Sequence, residues 1–217
     1  MSGLRIEYVD AQLLIVEKPA GLLAVPGRGE DKQDCLIARL LAPYPDALVV
    51  HRLDMATSGL MVFARDPPTQ AALGQAFAER RIFKRYVAVV DGRPSPDHSG
   101  DDGWSVIDLP LIADWPNRPL QKVDRAAGKP SVTRWRALGP DADHAGATRV
   151  ELEPLTGRSH QLRVHLQAIG HAILGDALYA TTEAASRAPR LLLHAQTLGF
   201  AHPVTGDKLR FDSAPDF

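Results

Sequence analysis

The segment HRLDMATSGL, residues 51–60, limits the possible folds of this chain more than any other, because it places charged and hydroxyl groups between two apolar runs. Residues 48–50 precede it and residues 60–63 follow it, and both runs are typical of buried strands. A core strand that ends in His-Arg-Leu-Asp delivers charge to the edge of the core, where catalytic groups tend to lie. Gly59 allows the chain to turn back, so the segment predicts an active-site turn between two strands.

Arg52 and Asp54 are the oppositely charged side chains of this segment. They lie on the same side of the strand if it stays extended, because side chains alternate along a strand. Asp54 is consistent with a catalytic carboxylate, and equally with a cap of the turn through Thr57 and Ser58. The residues alone leave both interpretations open.

The composition is that of a globular protein without disulfides. The 217 residues are enough for one large domain or for two subdomains that share a core, and 45% of them are hydrophobic. No apolar run approaches the length of a membrane span, and the N-terminus does not resemble a signal peptide. Cys35 is the single cysteine, which is typical of a reducing compartment. We therefore expect a cytoplasmic protein without a membrane partner.

The motifs that hold metals and cofactors are missing from the sequence. None of the eight histidines falls in an HExxH spacing, and there is no Walker-type loop, GxGxxG loop or serine nucleophile elbow. We expect chemistry that needs no metal, nucleotide or organic cofactor.

The charged residues are sorted along the chain, although the formal net charge is only −1. Basic residues form runs at 80–85 and 118–136, while acidic residues concentrate at 30–34, 97–102 and 141–143. Sorting of this kind predicts one positive face. The alternative is that both basic runs are ordinary solvated surfaces.

The hydrophobic pattern predicts many strands with few helices between them, which favours an α+β fold with a mainly antiparallel sheet. Helices are predicted over residues 35–41, from residue 66, and over residues 159–169, with Asp34, Asp66 and Ser159 as N-caps. Residues 91–103 are predicted to form an exposed loop. Strands are predicted at residues 4–8, 13–16, 48–50, 60–64, 82–90, 106–112, 129–137, 148–153, 191–200 and 208–211.

Four residues outside the opening segment are candidates that also have a plain structural interpretation. Arg163 lies on the last predicted helix, where it could pair bidentately with a carboxylate, although periodicity favours a solvent-facing side chain. Tyr86 lies on a strand among basic residues, and fits either a ring stacked on a base or a core tyrosine. Lys18 begins an apolar loop and fits either a phosphate contact or a surface lysine. Arg158, at a helix start, is a further candidate for a phosphate contact.

Four separated motifs together resemble the RluA family of RNA pseudouridine synthases. They are HRLDMATSGL, KRYVAVVDG at residues 84–92, GRSHQLRVHL at residues 157–166 and LLLHAQTLGFAHPVTG at residues 191–206. KPAGLLAVPGR and DLPLIADWPNRPLQKV are most similar to the dual-specificity members of that family. The resemblance implies the pseudouridine synthase fold, with a mixed but mainly antiparallel central sheet, flanking helices and a central RNA-binding cleft. It also implies one catalytic domain over residues 1–217, made of two subdomains that share the sheet, with no S4 domain.

The resemblance assigns roles to single residues. It implies that Asp54 is the catalytic aspartate, that Tyr86 stacks on the target uracil, and that Arg163 pairs with Asp54 and keeps it ionised. The target base must leave its stack before the chemistry, and Arg52 is implied to fill the vacated space. Leu193 is implied to line the uracil pocket. The remaining predicted contacts with RNA are Lys18, Arg158 and His160.

The implied reaction breaks the N-glycosidic bond of a uridine, turns the base and rejoins it to the ribose through carbon. The implied substrates are a stem-loop of 23S ribosomal RNA and the anticodon stem-loop of transfer RNAs, and we expect a monomer. One other interpretation is a catalytically silent RNA-binding or chaperone module on the same fold, against which the presence of Asp54 argues. Another is a glycoside hydrolase, which would need a second carboxylic acid near the first.

Overall fold

A computed structural model describes residues 4–95 and 102–217 of the chain. The Cα positions divide the chain into two compact units. Unit 1 is Met1–Lys84 with His194–Asp216, and unit 2 is Arg85–Leu193 with Phe217. The predicted loop at 91–103 and the acidic run at 97–102 fall partly on residues 96–101, which lie outside the described residues.

Unit 1 is built on strands that come from both ends of the chain. Strand β1 pairs antiparallel with β2, β2 pairs antiparallel with β4, and the short β3 also pairs with β4. Strand β11 pairs parallel with β4 and antiparallel with β12. The bounds are β1 Arg5–Val9, β2 Leu13–Lys18, α1 Leu36–Leu40, β3 Leu48–Val49, β4 Ser58–Ala64, α2 Pro67–Ala78, β11 Leu193–Ala201 and β12 Lys208–Asp212.

The core of unit 1 lies on β4, all seven residues of which are buried. A strand buried on both faces reads as a continuous apolar run, which is why the sequence shows no alternation there. Helix α2 covers this core with Leu73 and Ala76. Its predicted N-cap is confirmed, because the Asp66 carboxylate accepts the backbone N–H of Thr69 at 2.7 Å.

The predicted cap of α1 is wrong. Cys35 occupies the N-cap position and no side chain caps the helix. The Asp34 carboxylate instead accepts two hydrogen bonds from the Arg39 guanidinium, both at 2.7 Å. A nearby cation on the following turn therefore outcompetes the backbone N–H groups for this carboxylate.

Unit 2 is an antiparallel arrangement in which β5 pairs with β10, β10 with β9, and β9 with β6. Strands β7 and β8 form a separate antiparallel pair. The bounds are β5 Phe83–Asp91, β6 Ser105–Asp108, β7 Leu111–Ala113, β8 Gln121–Val123, β9 Val132–Pro140, β10 Ala147–Pro154, α3 Gln161–Ala168 and α4 Thr182–Ser186. The predicted single strand at residues 106–112 is wrong, because Pro110, which has no N–H to donate to a ladder, separates β6 from β7.

The predicted Ser159 cap of α3 is also wrong. The N-cap residue is His160, in a left-handed conformation with φ 54°, and its side chain makes no capping hydrogen bond. The Gln161 side chain stabilises the start of the helix instead, since its Oε1 accepts the backbone N–H of Arg158 at 3.0 Å and the hydroxyl of Thr156 at 2.7 Å.

The predicted α+β class with mainly antiparallel pairing is confirmed, and the parallel contact between β4 and β11 makes the pairing mixed. Two short 3₁₀ helices, Glu30–Lys32 and Trp115–Asn117, complete the regular structure of the described residues. Within residues 4–95 and 102–217, no helix is long and apolar enough to cross a membrane.

We expect Gly59→Ala to destabilise the protein strongly, because Gly59 has φ +113° and a β-carbon there would collide with the backbone of Ala195. Gly206→Ala is the matched control, since Gly206 also has positive φ, at +79°, but nothing lies within 4 Å of the position that its β-carbon would take. The control should lose about 1 kcal/mol of unfolding free energy from backbone strain alone. Denaturant unfolding should show a clearly larger loss for Gly59→Ala, and equal losses would contradict the close approach.

Candidate active site

The segment that carries Arg52 and Asp54 begins with a histidine anchored in unit 1. Strand β3 ends at Val49, so the segment is irregular rather than the end of a long core strand. The His51 Nε2 accepts the backbone N–H of Val62 at 3.1 Å, and its ring stacks on Phe77 with centroids 4.5 Å apart. Burial of the ring, helped by the charge of Lys84, lowers the pKa of His51 to about 3. A neutral imidazole is what this acceptor role requires.

Exposure alternates along the segment although it is not a strand. Arg52 is exposed, Leu53 is buried and Asp54 is partly buried. The turn that follows is closed by the backbone, since the Asp54 carbonyl accepts the N–H of Thr57 at 3.1 Å. Arg52 and Asp54 are therefore both placed on the accessible side of a fixed turn, with Leu53 packed inward between them.

The side chain of Lys18 holds this turn through a hydrogen bond to Met55. Its side chain is fully buried, and its Nζ donates to the carbonyl oxygens of Pro19 at 2.8 Å, Leu22 at 2.8 Å and Met55 at 3.0 Å. The Met55 carbonyl also accepts the N–H of Gly21 at 2.9 Å. The interpretation of Lys18 as a surface lysine is wrong, and a direct phosphate contact finds no support in this burial. We assign Lys18 a structural role instead, since it fixes the backbone of Met55.

A buried polar chain fixes the far end of the segment. Ser58 Oγ lies 2.9 Å from His194 Nδ1, His194 Nε2 lies 3.2 Å from Ser213 Oγ, and Ser213 Oγ donates to Glu17 Oε2 at 2.5 Å. The carboxylate only accepts, so the Ser213 hydroxyl must receive its hydrogen bond from His194 Nε2–H. Sequence reasoning missed this chain, because its members lie far apart in the sequence.

Arg163 of unit 2 forms a buried bidentate ion pair with Asp176. Its Nε and Nη2 lie 2.8 Å and 2.6 Å from the two carboxylate oxygens, and the two residues are 4% and 1% exposed. The Tyr179 ring lies 5.0 Å from the guanidinium. The periodicity argument for a solvent-facing arginine is therefore wrong. The implied pairing of Arg163 with Asp54 stays a prediction.

His160 is held by Tyr179. The hydroxyl of Tyr179 accepts the backbone N–H of Gln121 at 2.8 Å, so it has its proton available for His160 Nδ1, 2.6 Å away. The two rings meet edge to face with centroids 5.5 Å apart. This contact ties the start of α3 to β8, and the predicted contact of His160 with RNA stays a prediction.

Three further predicted residues occupy different environments within unit 2. Tyr86 is partly buried on β5 opposite Leu152, and Leu193 is 3% exposed at the start of β11. Arg158 is exposed, with its Nε 3.4 Å from the carbonyl oxygen of Pro130. Their implied roles in binding the target nucleotide stay predictions.

The predicted positive face is smaller than the sequence suggests. Arg136 and Arg134 lie directly across the β9–β10 ladder from Glu151 and Glu153 and form ion pairs with them, at 2.6 Å and 3.5 Å. Arg85 also bonds to both glutamates, at 3.0 Å and 3.1 Å. These three arginines surround the ring of a buried tryptophan, Trp104. Strand register, which spacing does not reveal, neutralises Arg134 and Arg136 at the end of the second basic run.

The structure shows no cluster of three or more His, Cys, Asp or Glu side chains placed to hold a metal ion among the residues that it describes. Several histidines instead have structural hydrogen bonds. The buried His165, for example, lies between the Thr133 hydroxyl at 2.9 Å and the Leu109 carbonyl at 3.0 Å.

Comparisons with known proteins agree with one another. Residues 12–168 match the model of the family described as RNA pseudouridylate synthase. The chain is 49% identical to the dual-specificity RNA pseudouridine synthase RluA of Escherichia coli K12, over 98% of this chain and 93% of that protein. It is 47% identical to the protein of the same name from Yersinia pestis, over 97% of this chain and 98% of that protein. The structure is similar to human RNA pseudouridylate synthase domain containing 1, with a TM-score of 0.80 and 26% identity over 99% of this chain and 84% of that one.

We expect acid to destabilise the wild type more than His51→Gln. The pKa of His51 is about 3 in the folded protein and 6.5 in a free side chain, so between these values the unfolded chain binds a proton that the folded protein does not. Stability from this site is therefore lost as pH falls from 6.5 towards 3, by at most about 1.4 kcal/mol per pH unit. The difference is measured by urea unfolding of both proteins at a series of pH values from neutral down to mildly acidic. If the unfolding free energies of the two proteins changed in parallel with pH, the lowered pKa of His51 would be contradicted.

Proposed function

The chain belongs to the RNA pseudouridylate synthase family, and we propose that Asp54 is the catalytic carboxylate with which it converts uridine in RNA to pseudouridine. The observation that carries the proposal is the fixation of the turn around Asp54. His51, Lys18 and Ser58 hold the segment at its start, middle and end through hydrogen bonds that are buried or partly buried. Such fixation keeps a reactive group in place before the substrate arrives, which lowers the entropic part of the barrier.

The reaction needs no external reagent. The bond between N1 of the uracil and C1′ of the ribose breaks, the base turns, and a bond between C5 and C1′ forms. The hydrogen on C5 leaves as a proton and N1 gains one, so atoms and electrons balance within the nucleotide. A carboxylate contributes to such a reaction as a nucleophile towards electrophilic carbon.

We assign the substrate-handling roles to residues near Asp54 in sequence and to residues of unit 2. Arg52, exposed two residues before Asp54, fills the space that the extruded nucleotide leaves in the stack. Tyr86 stacks on the uracil, since an aromatic face holds an unpaired base. Leu193 supplies an apolar wall for the same base, consistent with its 3% exposure.

Arg163 is proposed as the cation that keeps the catalytic carboxylate ionised. Its bidentate bond with Asp176 fixes the plane of the guanidinium, because the Nε and Nη2 edge is fully used. Asp176 is itself held by the backbone N–H groups of Leu178 and Tyr179. We therefore propose that Asp176 orients Arg163.

The relatives that are nearly half identical to this chain are named dual-specificity RNA pseudouridine synthases. We propose that this chain likewise accepts two classes of RNA, a stem-loop of 23S ribosomal RNA and the anticodon stem-loop of transfer RNAs. A cytoplasmic location follows from these substrates. The identity and coverage, 49% over 98% of the chain, support this proposal.

Asp54→Asn should reduce pseudouridine formation by on the order of 10³-fold or more, because the amide is a far weaker nucleophile and base than the carboxylate. The measurement is release of the hydrogen on C5 from labelled transfer RNA and 23S fragments. Asp34→Asn is the control, since Asp34 is an exposed aspartate of the same unit that pairs with Arg39. Normal turnover by Asp54→Asn would refute the assignment, while an inactive wild type on every RNA would favour the silent RNA-binding module.

Arg52→Ala should lower turnover more than it lowers general affinity for RNA, because the proposed contact exists only when the nucleotide is extruded. Single-turnover rates and equilibrium binding to the same stem-loop give the two numbers. Arg28→Ala, which removes another exposed arginine of unit 1, is the matched control. Equal losses in rate and affinity for Arg52→Ala would make Arg52 a simple phosphate contact.

A further inference from the structure

We propose that a pocket of unit 2 binds an unpaired nucleotide of the RNA substrate, with the base against Trp115 and the phosphate at Lys129 and Arg158. The inference rests on the proposed function, because it takes RNA as the ligand. The pocket has a volume of about 480 Å³, within the range of small-ligand sites. Its wall includes Ile112, Trp115, Gln121, Lys129, Arg158 and Ser159.

The aromatic wall is the first argument. Trp115 is 65% exposed, which is unusual for so large an apolar ring in a protein that buries its other tryptophans, Trp104 and Trp135. The Arg118 guanidinium lies 4.3 Å from the ring centroid and covers one face at most. An accessible indole beside a cation is a surface on which an unpaired base stacks. The stacking contributes to the binding free energy whatever the identity of the base.

The cations of the pocket are the second argument. Within residues 4–95 and 102–217, neither Lys129 nor Arg158 forms an ion pair with a carboxylate, and both are exposed. This distinguishes them from Arg134 and Arg136 of the same basic run, which bond to glutamates of β10. The two cations are therefore available to a phosphate.

The nearby acid does not oppose this arrangement. Asp114 precedes Trp115, and its carboxylate accepts the side-chain amide of Asn117 at 2.8 Å and lies 3.6 Å from Lys122 Nζ. The negative charge of Asp114 is thus balanced by its neighbours Lys122 and Asn117. The positive charge of Lys129 and Arg158 remains for a ligand.

The polar groups and the rigidity of the walls are the third argument. Ser159 is exposed on the pocket wall, where its hydroxyl can meet a ligand. Backbone hydrogen bonds in both directions between Leu111 and Lys129, at 3.0 Å and 2.8 Å, hold Lys129 against β7. The hydrogen bond from Gln121 N–H to Tyr179 fixes the opposite strand of the pair. Walls that are already in place reduce the ordering cost of binding.

An unpaired nucleotide fits this set better than a paired one. A base within a duplex has both faces covered by its neighbours, so only an unstacked base can lie on Trp115. The loop of a stem-loop supplies such bases together with the phosphates that link them. The pocket would therefore recognise the loop rather than the stem.

The test measures equilibrium binding and steady-state kinetics of the full-length protein with a fluorescent anticodon stem-loop, and binding with a fully paired RNA duplex. Trp115→Ala should weaken stem-loop binding about tenfold, change duplex binding little, and raise KM more than it lowers kcat, since the proposed target uracil stacks on Tyr86 and Trp115 holds a nucleotide that does not react. Trp115→Phe should retain most of the affinity. Lys129→Gln should reduce the slope of log affinity against log salt by about one.

Two controls match the tested changes. Leu138→Ala shortens another exposed apolar side chain of unit 2, and Arg125→Gln removes another exposed charge of the same basic run, both outside the pocket wall. All the substituted residues are exposed, so folding should be intact, and thermal melting checks this. Losses in the controls equal to those of Trp115→Ala and Lys129→Gln would overturn the pocket, as would equal effects of Trp115→Ala on stem-loop and duplex.

The outcome also separates this inference from the proposed function. If the wild type forms pseudouridine while Trp115→Ala binds the stem-loop normally, the pocket is refuted and the function stands. If the wild type forms no pseudouridine but its binding depends on Trp115 as expected, the function is refuted and the pocket stands.

Discussion

The buried ammonium of Lys18 is the group that the candidate site of unit 1 is built around. A charged group without exposure must be fully hydrogen-bonded to be tolerated, and three backbone carbonyls meet that need. One of those carbonyls belongs to Met55, the residue after Asp54. The requirement to satisfy one lysine therefore fixes the turn that carries the proposed catalytic carboxylate, while leaving Arg52 exposed.

Two histidines complete this support. His51 accepts a backbone N–H of β4, and His194 links Ser58 to Ser213, which donates to Glu17. In unit 1 both histidines therefore hold the segment that carries the proposed catalytic carboxylate.

In unit 2 the pairing of charges decides which cations can serve an anionic ligand. The β9–β10 register places glutamates opposite Arg134 and Arg136, and Asp176 takes both edge nitrogens of Arg163. Lys129 and Arg158 remain exposed and without a carboxylate partner among the described residues, beside the accessible ring of Trp115. A net charge of −1 is therefore compatible with an RNA substrate, because a bound phosphate responds to the cations beside it rather than to the net charge.

Sequence reasoning was sufficient for the α+β class, the buried run of β4, the Asp66 cap and the family, because periodicity, local capping and contiguous motifs are properties of neighbouring residues. It was not sufficient to show that Asp34 pairs with Arg39, that Pro110 divides a strand, or that Gln161 replaces Ser159 at the start of α3. The burial of Lys18, the pairing of Arg163 with Asp176 and the neutralisation of Arg134 and Arg136 became visible in the folded chain alone. Those outcomes depend on which distant groups come within hydrogen-bonding distance, and that information lies in the packing of strands and loops rather than in spacing along the chain.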